Sequence, residues 1–362
     1  MTRLLSRASH QGPTAMARIV HLLNLLVLVL SAAGCQSVFA EIYTSKGVII
    51  VRLEHERTPL AVSNFVGLAE GTIENAAFPL GRPFYDGSSF HRVVPGHVIQ
   101  GGSPDSESSG GPGYQFANEI VSGLSHDHAG ALGMANGGPH TNSSQFYITL
   151  GDRSYLDGDY TVFGEVVEGM EVVNAIERGD AIERIVIRRG RGLGAFHPDS
   201  ASFEALRAAA EARVAREDEA RRARDEKWAQ SNWPAANLGP DGDRHLVLRD
   251  GTGDSPVDGV ELTLRYAATT PTGFAFRSTS DGRPHFGDEG EEFTLALGSR
   301  GLPDSLQLAL KSMSRGEKRL VVLPPDLAYG TGGHYGPNVA GEPRFVIHPN
   351  TAIAYELELI DF

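Results

Sequence analysis

At 362 residues the chain has room for two or three domains of about 100–200 residues each, and its composition, 41% hydrophobic and 21% charged, excludes wholesale disorder. The net charge is −13, and with three arginines and no acid in the first 34 residues the remainder is more acidic still, which argues against nucleic acid or anionic lipid surfaces as partners. A single cysteine excludes a disulfide framework and a CxxC zinc or redox site.

Ile19 to Ala33 is a mostly apolar run interrupted by His21 and Asn24 and preceded by Arg18. That is too short and broken for a membrane span, and it has the charged start and apolar middle of an export signal, with Met16 as an alternative start. Two cleavage readings stand side by side. Val38-Phe39-Ala40 offers small residues to a general signal peptidase, giving a signal of residues 1–40. Ala32-Ala33-Gly34-Cys35 resembles a bacterial lipobox, which would lipidate Cys35 and is the preferred reading. Both imply a periplasmic protein or outer-membrane lipoprotein of a Gram-negative bacterium, touching a membrane only through that anchor.

From 41 to 195 the chain is rich in glycine and short β-like runs. VIIVRL (Val48 to Leu53) reads as a buried strand. Thr58-Pro59 opens a helix as a capping hydroxyl followed by proline; Val62, Phe65, Val66 and Ala69 share its inner face, and Gly71 ends it. Many short strands with glycine turns then predict a closed, mainly-β barrel with capping helices. Residues 199 to 230 hold eight acids and seven bases with few large apolar residues (Phe203, Leu206, Val214, Trp228), so 196–239 reads as a charged, solvated helical linker. The last unit, 240–362, alternates Leu262, Leu264 and Tyr266 with polar neighbours. Ile353, Tyr355, Leu357 and Leu359 share a face opposite Glu356 and Glu358, and Leu306, Ala309, Leu310 and Met313 line a short helix. That predicts an α+β module, an antiparallel sheet wrapped on a helix.

Three strings carry the chemistry of the first unit: FHRVVPGHVIQGG (Phe90 to Gly102), MANGGPHTNSSQFYI (Met134 to Ile148) and LDGDYTVFGEVVEGMEVV (Leu156 to Val173). Together they closely resemble the cyclophilin family of peptidyl-prolyl cis/trans isomerases over nearly all of 41–195. Rotation about an X–Pro bond meets a resonance barrier of about 18–20 kcal/mol, and no bond breaks, so the task needs neither nucleophile, metal nor cofactor. It needs a donor aimed at the prolyl nitrogen as it pyramidalises and an apolar slot for the ring.

The resemblance implies that Arg92 is the donor, that Gln100 orients it, and that Asn136, next to Ala135, anchors the substrate main chain through its backbone. Strand parity sends Gln145 and Tyr147 to one side, placing Tyr147 in the proline pocket and Phe146 in the core. Val98 and Leu156 complete the wall, with His97, Tyr155 and Tyr160 at the rim. The family more commonly has Phe at His97 and Tyr147, Met at Val98, Trp at Tyr155 and His at Tyr160, which implies a more polar rim and an altered peptide preference. His126-Asp127-His128 reads as solvated loop histidines rather than a metal site.

The second unit resembles the FKBP-type isomerases through LRYAATTPTGFAF (Leu264 to Phe276), EEFTLALG (Glu291 to Gly298), MSRGEKRLVVLPPDLAYG (Met313 to Gly330) and HPNTAIAYELELIDF (His348 to Phe362). The resemblance implies an aromatic cup of Tyr266, Phe276, Phe293, Tyr329 and Tyr355, with Leu302, Pro303 and Leu306 on its floor and side. Arg277 stands where the family usually has aspartate, and Leu306 where it often has tryptophan, which implies weak or absent isomerase activity there, the rival reading being a normal enzyme with altered selectivity. The whole chain thus resembles a dual-family immunophilin acting on proline-containing unfolded or extended polypeptides. A non-catalytic chaperone or scaffold gripping such segments is the alternative.

Overall fold

The computed structural model describes residues 37–107, 109–190, 196–277, 291–298, 303–337 and 343–362. Residues 1–36 of the expected export segment, Cys35 among them, and Leu302 of the expected cup floor lie outside the described residues. The chain divides into two units, one ending at Arg207 and one running from Ala208 to Phe362, with the short stretch Gly137–Thr141 grouped with the second.

Among the described residues the first unit carries nine strands: β1 (Val38–Thr44), β2 (Gly47–Leu53), β3 (Ser88–Ser89), β4 (Arg92–Val94), β5 (Val98–Gly101), β6 (Ala131–Met134), β7 (Phe146–Thr149), β8 (Val162–Glu168) and β9 (Ala181–Arg189). They form one antiparallel sheet in the order β3-β9-β1-β2-β8-β6-β7-β5-β4. The sheet is curled, and its end strands β3 and β4 are consecutive pieces of one segment that pairs with β9 at one end and β5 at the other. Only Phe90 and His91 separate them, and Phe90 bonds to Asp180 and Gly179 beside β9.

The first strand begins three residues before the expected boundary at residue 41. β1 starts at Val38, and Val38, Phe39 and Ala40 are buried while pairing with both β2 and β9. Cleavage after Ala40 would cut three core residues and their ladder from the sheet.

Helix α1 (Pro59–Glu70) packs on the sheet through Phe65, whose ring lies 5.4 Å from those of Phe146 and Phe163, and it is buried from Leu60 to Ala69. Its amino end is not capped by Thr58, whose hydroxyl turns back to the Glu54 carbonyl. The Glu119 carboxylate instead accepts from the Leu60 and Ala61 N–H groups at 3.1 and 2.8 Å, placing an anion on the positive end of the helix. The carboxyl end follows expectation: Gly71 takes φ 72°, and a Cβ there would lie 2.7 Å from the Arg82 backbone. The remaining short helix of this unit is α2 (Met170–Ala175).

The long helix α3 (Ser200–Asn232) occupies most of the expected linker, but its ends are not solvated. At the start, Phe203 is fully buried with its ring 5.1 Å from Tyr114 and 6.1 Å from Phe116, and the Thr72 hydroxyl bonds to the Pro198 carbonyl. At the far end Trp228, Ala229, Trp233 and Ala236 pack with Leu246, Leu320, Val322 and Ala354. Residues 208–224 between them are exposed or half-buried, and only there does the spacer character hold. Among the described residues no helix is long and apolar enough to cross a membrane.

The second unit adds β10 (Asn237–Leu238), β11 (Arg244–Arg249), β12 (Glu261–Thr269), β13 (Ala275–Arg277), β14 (Phe293–Ala296), α4 (Asp304–Lys311), β15 (Lys318–Leu323), β16 (His334–Pro337), β17 (Pro343–Ile347) and β18 (Ile353–Asp361). Its main sheet is antiparallel in the order β10-β11-β15-β18-β12-β13, with β14 also on β12, while β16 and β17 pair separately. The expected alternation in β12 and β18 is present, and Leu306, Ala309, Leu310 and Met313 are buried beneath the sheet. Glu358 and Glu356 face outward in ion pairs with Arg249, Arg265 and Lys318.

Candidate active site

Register across β4, β5, β7 and β6 builds the site. Arg92 stands opposite Gln100, Gln100 opposite Tyr147, and Tyr147 opposite Gly133, so one row of the sheet holds all four. The adjacent row, Val93, Ile99, Ile148 and Leu132, points to the other face, where the last three are completely buried. A one-residue slip would exchange these rows and put the arginine in the core.

The Arg92 guanidinium is exposed, and its aim is set by a chain of amides. It donates to Gln100 Oε1 at 3.2 Å, Gln100 Nε2 donates to Gln145 Oε1 at 3.0 Å, and Gln145 Nε2 donates to the Gly110 carbonyl at 2.9 Å. Each amide accepts on one side and donates on the other, so the relay has a single consistent orientation. A planar fork held in this way is a preorganised donor over the groove.

Beside it lies an apolar wall. Val98, Tyr147 and Leu156 are buried together, with Ala135, Tyr155 and Tyr160 packed against them. Tyr160 meets Tyr147 edge-to-face at 6.0 Å. At the rim His97 Nε2 and the Tyr155 hydroxyl are 2.5 Å apart, the rings nearly parallel. Burial, reinforced by Arg92 and Arg153, lowers the His97 pKa and favours the neutral ring. The Asn136 side chain is engaged inside the protein, donating to the Asp159 carbonyl at 3.2 Å and Asn142 Oδ1 at 3.3 Å. All the expected first-unit residues thus converge on one face of the sheet end and its bordering loops.

His126 departs from expectation. It is completely buried, with Nδ1 2.6 Å from Asp157 Oδ1 and Nε2 2.8 Å from the Tyr147 hydroxyl. Nothing in the local sequence signals this, because both partners are distant along the chain. Among the described residues, no group of three or more His, Cys, Asp or Glu side chains could hold a metal.

Buried His126 and half-buried His97 carry a pH consequence. Burial lowers the pKa of His126 and His97, so as pH falls the unfolded chain takes up protons first. Their contribution is therefore intact above the unfolded value of about 6.5, declines as pH falls through it, and levels off below the folded values. Acids with lowered pKa, such as Asp105 and Asp180, act only in the more acidic carboxylate range. Calorimetry should find a lower first-unit melting temperature at pH 5 than at pH 7, with a smaller difference in His126→Gln. An unchanged pH difference in that variant would contradict the assignment.

In the second unit Tyr266, Phe293, Leu306 and Tyr355 share one buried cluster, with Tyr329 partly buried against it. Tyr266 meets Phe293 at 5.7 Å and Tyr355 at 5.9 Å, both edge-to-face. Burial pushes the Tyr266 and Tyr355 hydroxyls well above the usual tyrosine range. Pro303 is buried at the start of α4. The backbone places Phe276 opposite Ala268 and Arg277 opposite Ala267 on β13.

Residues 39–189 match the family model described as cyclophilin type peptidyl-prolyl cis-trans isomerase/CLD, and residues 253–360 match that described as FKBP-type peptidyl-prolyl cis-trans isomerase. A probable peptidyl-prolyl cis-trans isomerase A of Mycobacterium leprae (strain TN) is 47% identical over 147 residues, covering 39% of this chain and 81% of the relative. Peptidyl-prolyl cis-trans isomerase A of Mycobacterium tuberculosis (strain ATCC 25618 / H37Rv) is 46% identical over 145 residues, covering 38% and 80%. A peptidyl-prolyl cis-trans isomerase of Helicobacter pylori (strain ATCC 700392 / 26695) is 39% identical over 153 residues, covering 42% and 87%.

Proposed function

Because the chain belongs to the cyclophilin-type peptidyl-prolyl cis-trans isomerases and carries an FKBP-type domain behind that one, we propose that it isomerises X–Pro bonds of exported proteins, chiefly in the groove headed by Arg92. The observation that carries this reading is the row Arg92, Gln100 and Tyr147, which sets an oriented cation beside an apolar wall. Arg92 donates to the prolyl nitrogen as it loses amide conjugation. Val98, Tyr147 and Leu156 hold the ring, and Asn136 with Ala135 guides the substrate main chain through backbone groups. Shortening a wait of tens of seconds to about a millisecond requires roughly 10⁴-fold, or about 5.5 kcal/mol. A donor stronger toward the twisted state than toward the planar amide lowers the barrier by that differential.

The second unit in this reading grips proline-containing segments with little turnover. Leu306 in place of an indole removes aromatic area from the cup, and Arg277 reverses the charge the FKBP family usually carries there. Two sites on one chain raise the local concentration of a client with several prolines. The test is a protease-coupled isomerase assay on the full chain and its Arg92→Ala variant, whose residual rate reports the second unit. A residual rate close to the parent's would transfer the activity to the FKBP-type domain.

The same reading places the protein outside the cytoplasm, tethered through Cys35. Processing before Cys35 leaves the buried strand β1 whole, whereas processing after Ala40 does not. Intact-mass measurement of the mature protein from a membrane fraction is expected to give an amino-terminal, lipid-bearing Cys35. A mature start at Glu41 without lipid would remove the anchor from the proposal.

A further inference from the structure

We propose that His126 is a positioning residue of the prolyl pocket: acting through the Tyr147 hydroxyl, it seats the ring that forms the pocket wall, in a space kept open by Gly133. The inference rests on the reading that the Val98–Tyr147–Leu156 wall receives proline.

Three observations converge on it. Tyr147 is paired in register with Gly133 on β6, and a Cβ at Gly133 would lie 2.4 Å from Tyr147 Cζ and 2.5 Å from its hydroxyl. Both separations are far inside contact distance, so the ring occupies its present place only because residue 133 has no side chain. The hydroxyl then reaches back to His126 Nε2 at 2.8 Å, the two rings lying 5.9 Å apart and 21° from parallel. Finally, Asp157 Oδ1 accepts both the His126 backbone N–H at 2.9 Å and the ring Nδ1 at 2.6 Å.

These contacts fix the protons. A neutral imidazole that donates from Nδ1 to a carboxylate presents a bare Nε2, so Tyr147 must donate its O–H to His126. The hydroxyl is thereby committed away from the groove, and the ring offers its apolar face to the substrate. Asp157 directly follows Leu156 in the chain, so the carboxylate that sets the imidazole belongs to a segment that also contributes to the wall. Removing His126 strands a buried hydroxyl that has to find another partner, and the ring moves with it.

The test uses the full chain, with rates taken above the Arg92→Ala baseline so that only the first unit is read. Steady-state kcat and KM are measured on an X–Pro peptide and on the same peptide carrying a four-membered azetidine ring. The ratio of the two kcat/KM values does not depend on how much of a variant is folded, so a destabilised variant remains informative. Gly133→Ala should raise KM for proline about tenfold, with a smaller change in kcat, and shift the ratio toward the smaller ring. His126→Ala should shift the ratio in the same direction with Tyr147 present and have no further effect in a Tyr147→Phe background, because it acts only through the hydroxyl. If both variants leave KM and the ratio within about twofold of the parent, or if His126→Ala acts equally in the Tyr147→Phe background, the positioning role is overturned. Tyr147→Ala separates this from failure of the pocket itself. An unchanged KM in that variant removes the wall, whereas a raised KM beside silent Gly133 and His126 variants removes only the positioning.

Discussion

Arg92→Ala is expected to reduce the first unit's kcat/KM on a short X–Pro peptide by on the order of 10²-fold or more, while the melting temperature stays that of the parent. The size follows from what the side chain does. Twisting the amide localises the lone pair on the prolyl nitrogen, and a charged donor waiting there interacts with it far more strongly than with the planar ground state. The guanidinium is already oriented by Gln100, so little reorganisation is spent at the moment of reaction. Stability is spared because Arg92 is exposed on a short edge strand and its loss opens no core cavity. A purely structural arginine would give the opposite pattern, a lowered melting temperature with kcat/KM near the parent's. A near-parental rate with intact folding would mean that neither Arg92 nor its relay carries the isomerisation.

The part of this site legible in the sequence is the part governed by a two-residue period. Parity alone separates Tyr147 from Phe146, and the ladder carries the same alternation to Gln100 and Arg92. The parts that were not legible depend on partners far along the chain. Glu119 caps a helix whose Leu60 lies 59 residues earlier, and His126 bonds to Asp157 and Tyr147, 31 and 21 residues further on. Neither contact leaves a periodic trace in its own segment. Gly133 is a further case: among many glycines, only its register partner shows that the missing Cβ is needed.

The ends of α3 present the same difficulty, and the consequence is large. A helix with eight acids and seven bases in 199–230 reads as a spacer because averaging along its length hides two short apolar patches. In the second unit Leu320, Val321, Val322 and Leu323 are all buried, so β15 is covered on both faces. Val321 and Leu323 belong to the core that contains α4, whereas Leu320 and Val322 pack with Trp228, Ala229, Trp233 and Ala236. The two indoles brace one another edge-to-face at 5.1 Å. Buried Arg244 also pairs with Glu226 of the helix, and losing that partner would strand a charge.

A fragment beginning at Gly239 therefore lacks one whole cover of its sheet. Deleting a single packed tryptophan commonly costs about 3–5 kcal/mol, and a domain's entire stability is about 5–15 kcal/mol. The Gly239–Phe362 fragment is expected to lack a cooperative melt and to aggregate, whereas Ala208–Phe362 should melt cooperatively by circular dichroism. Trp228→Ala with Trp233→Ala in the full chain should lower the melting temperature of the second unit and leave that of the first in place. Equal melting temperatures for the two fragments would restore the whole helix to the role of a solvated spacer. The distinction also decides how the FKBP-type domain is assayed, since a low isomerase rate from a fragment without its Trp228–Trp233 cover would measure unfolding rather than the chemistry of the cup.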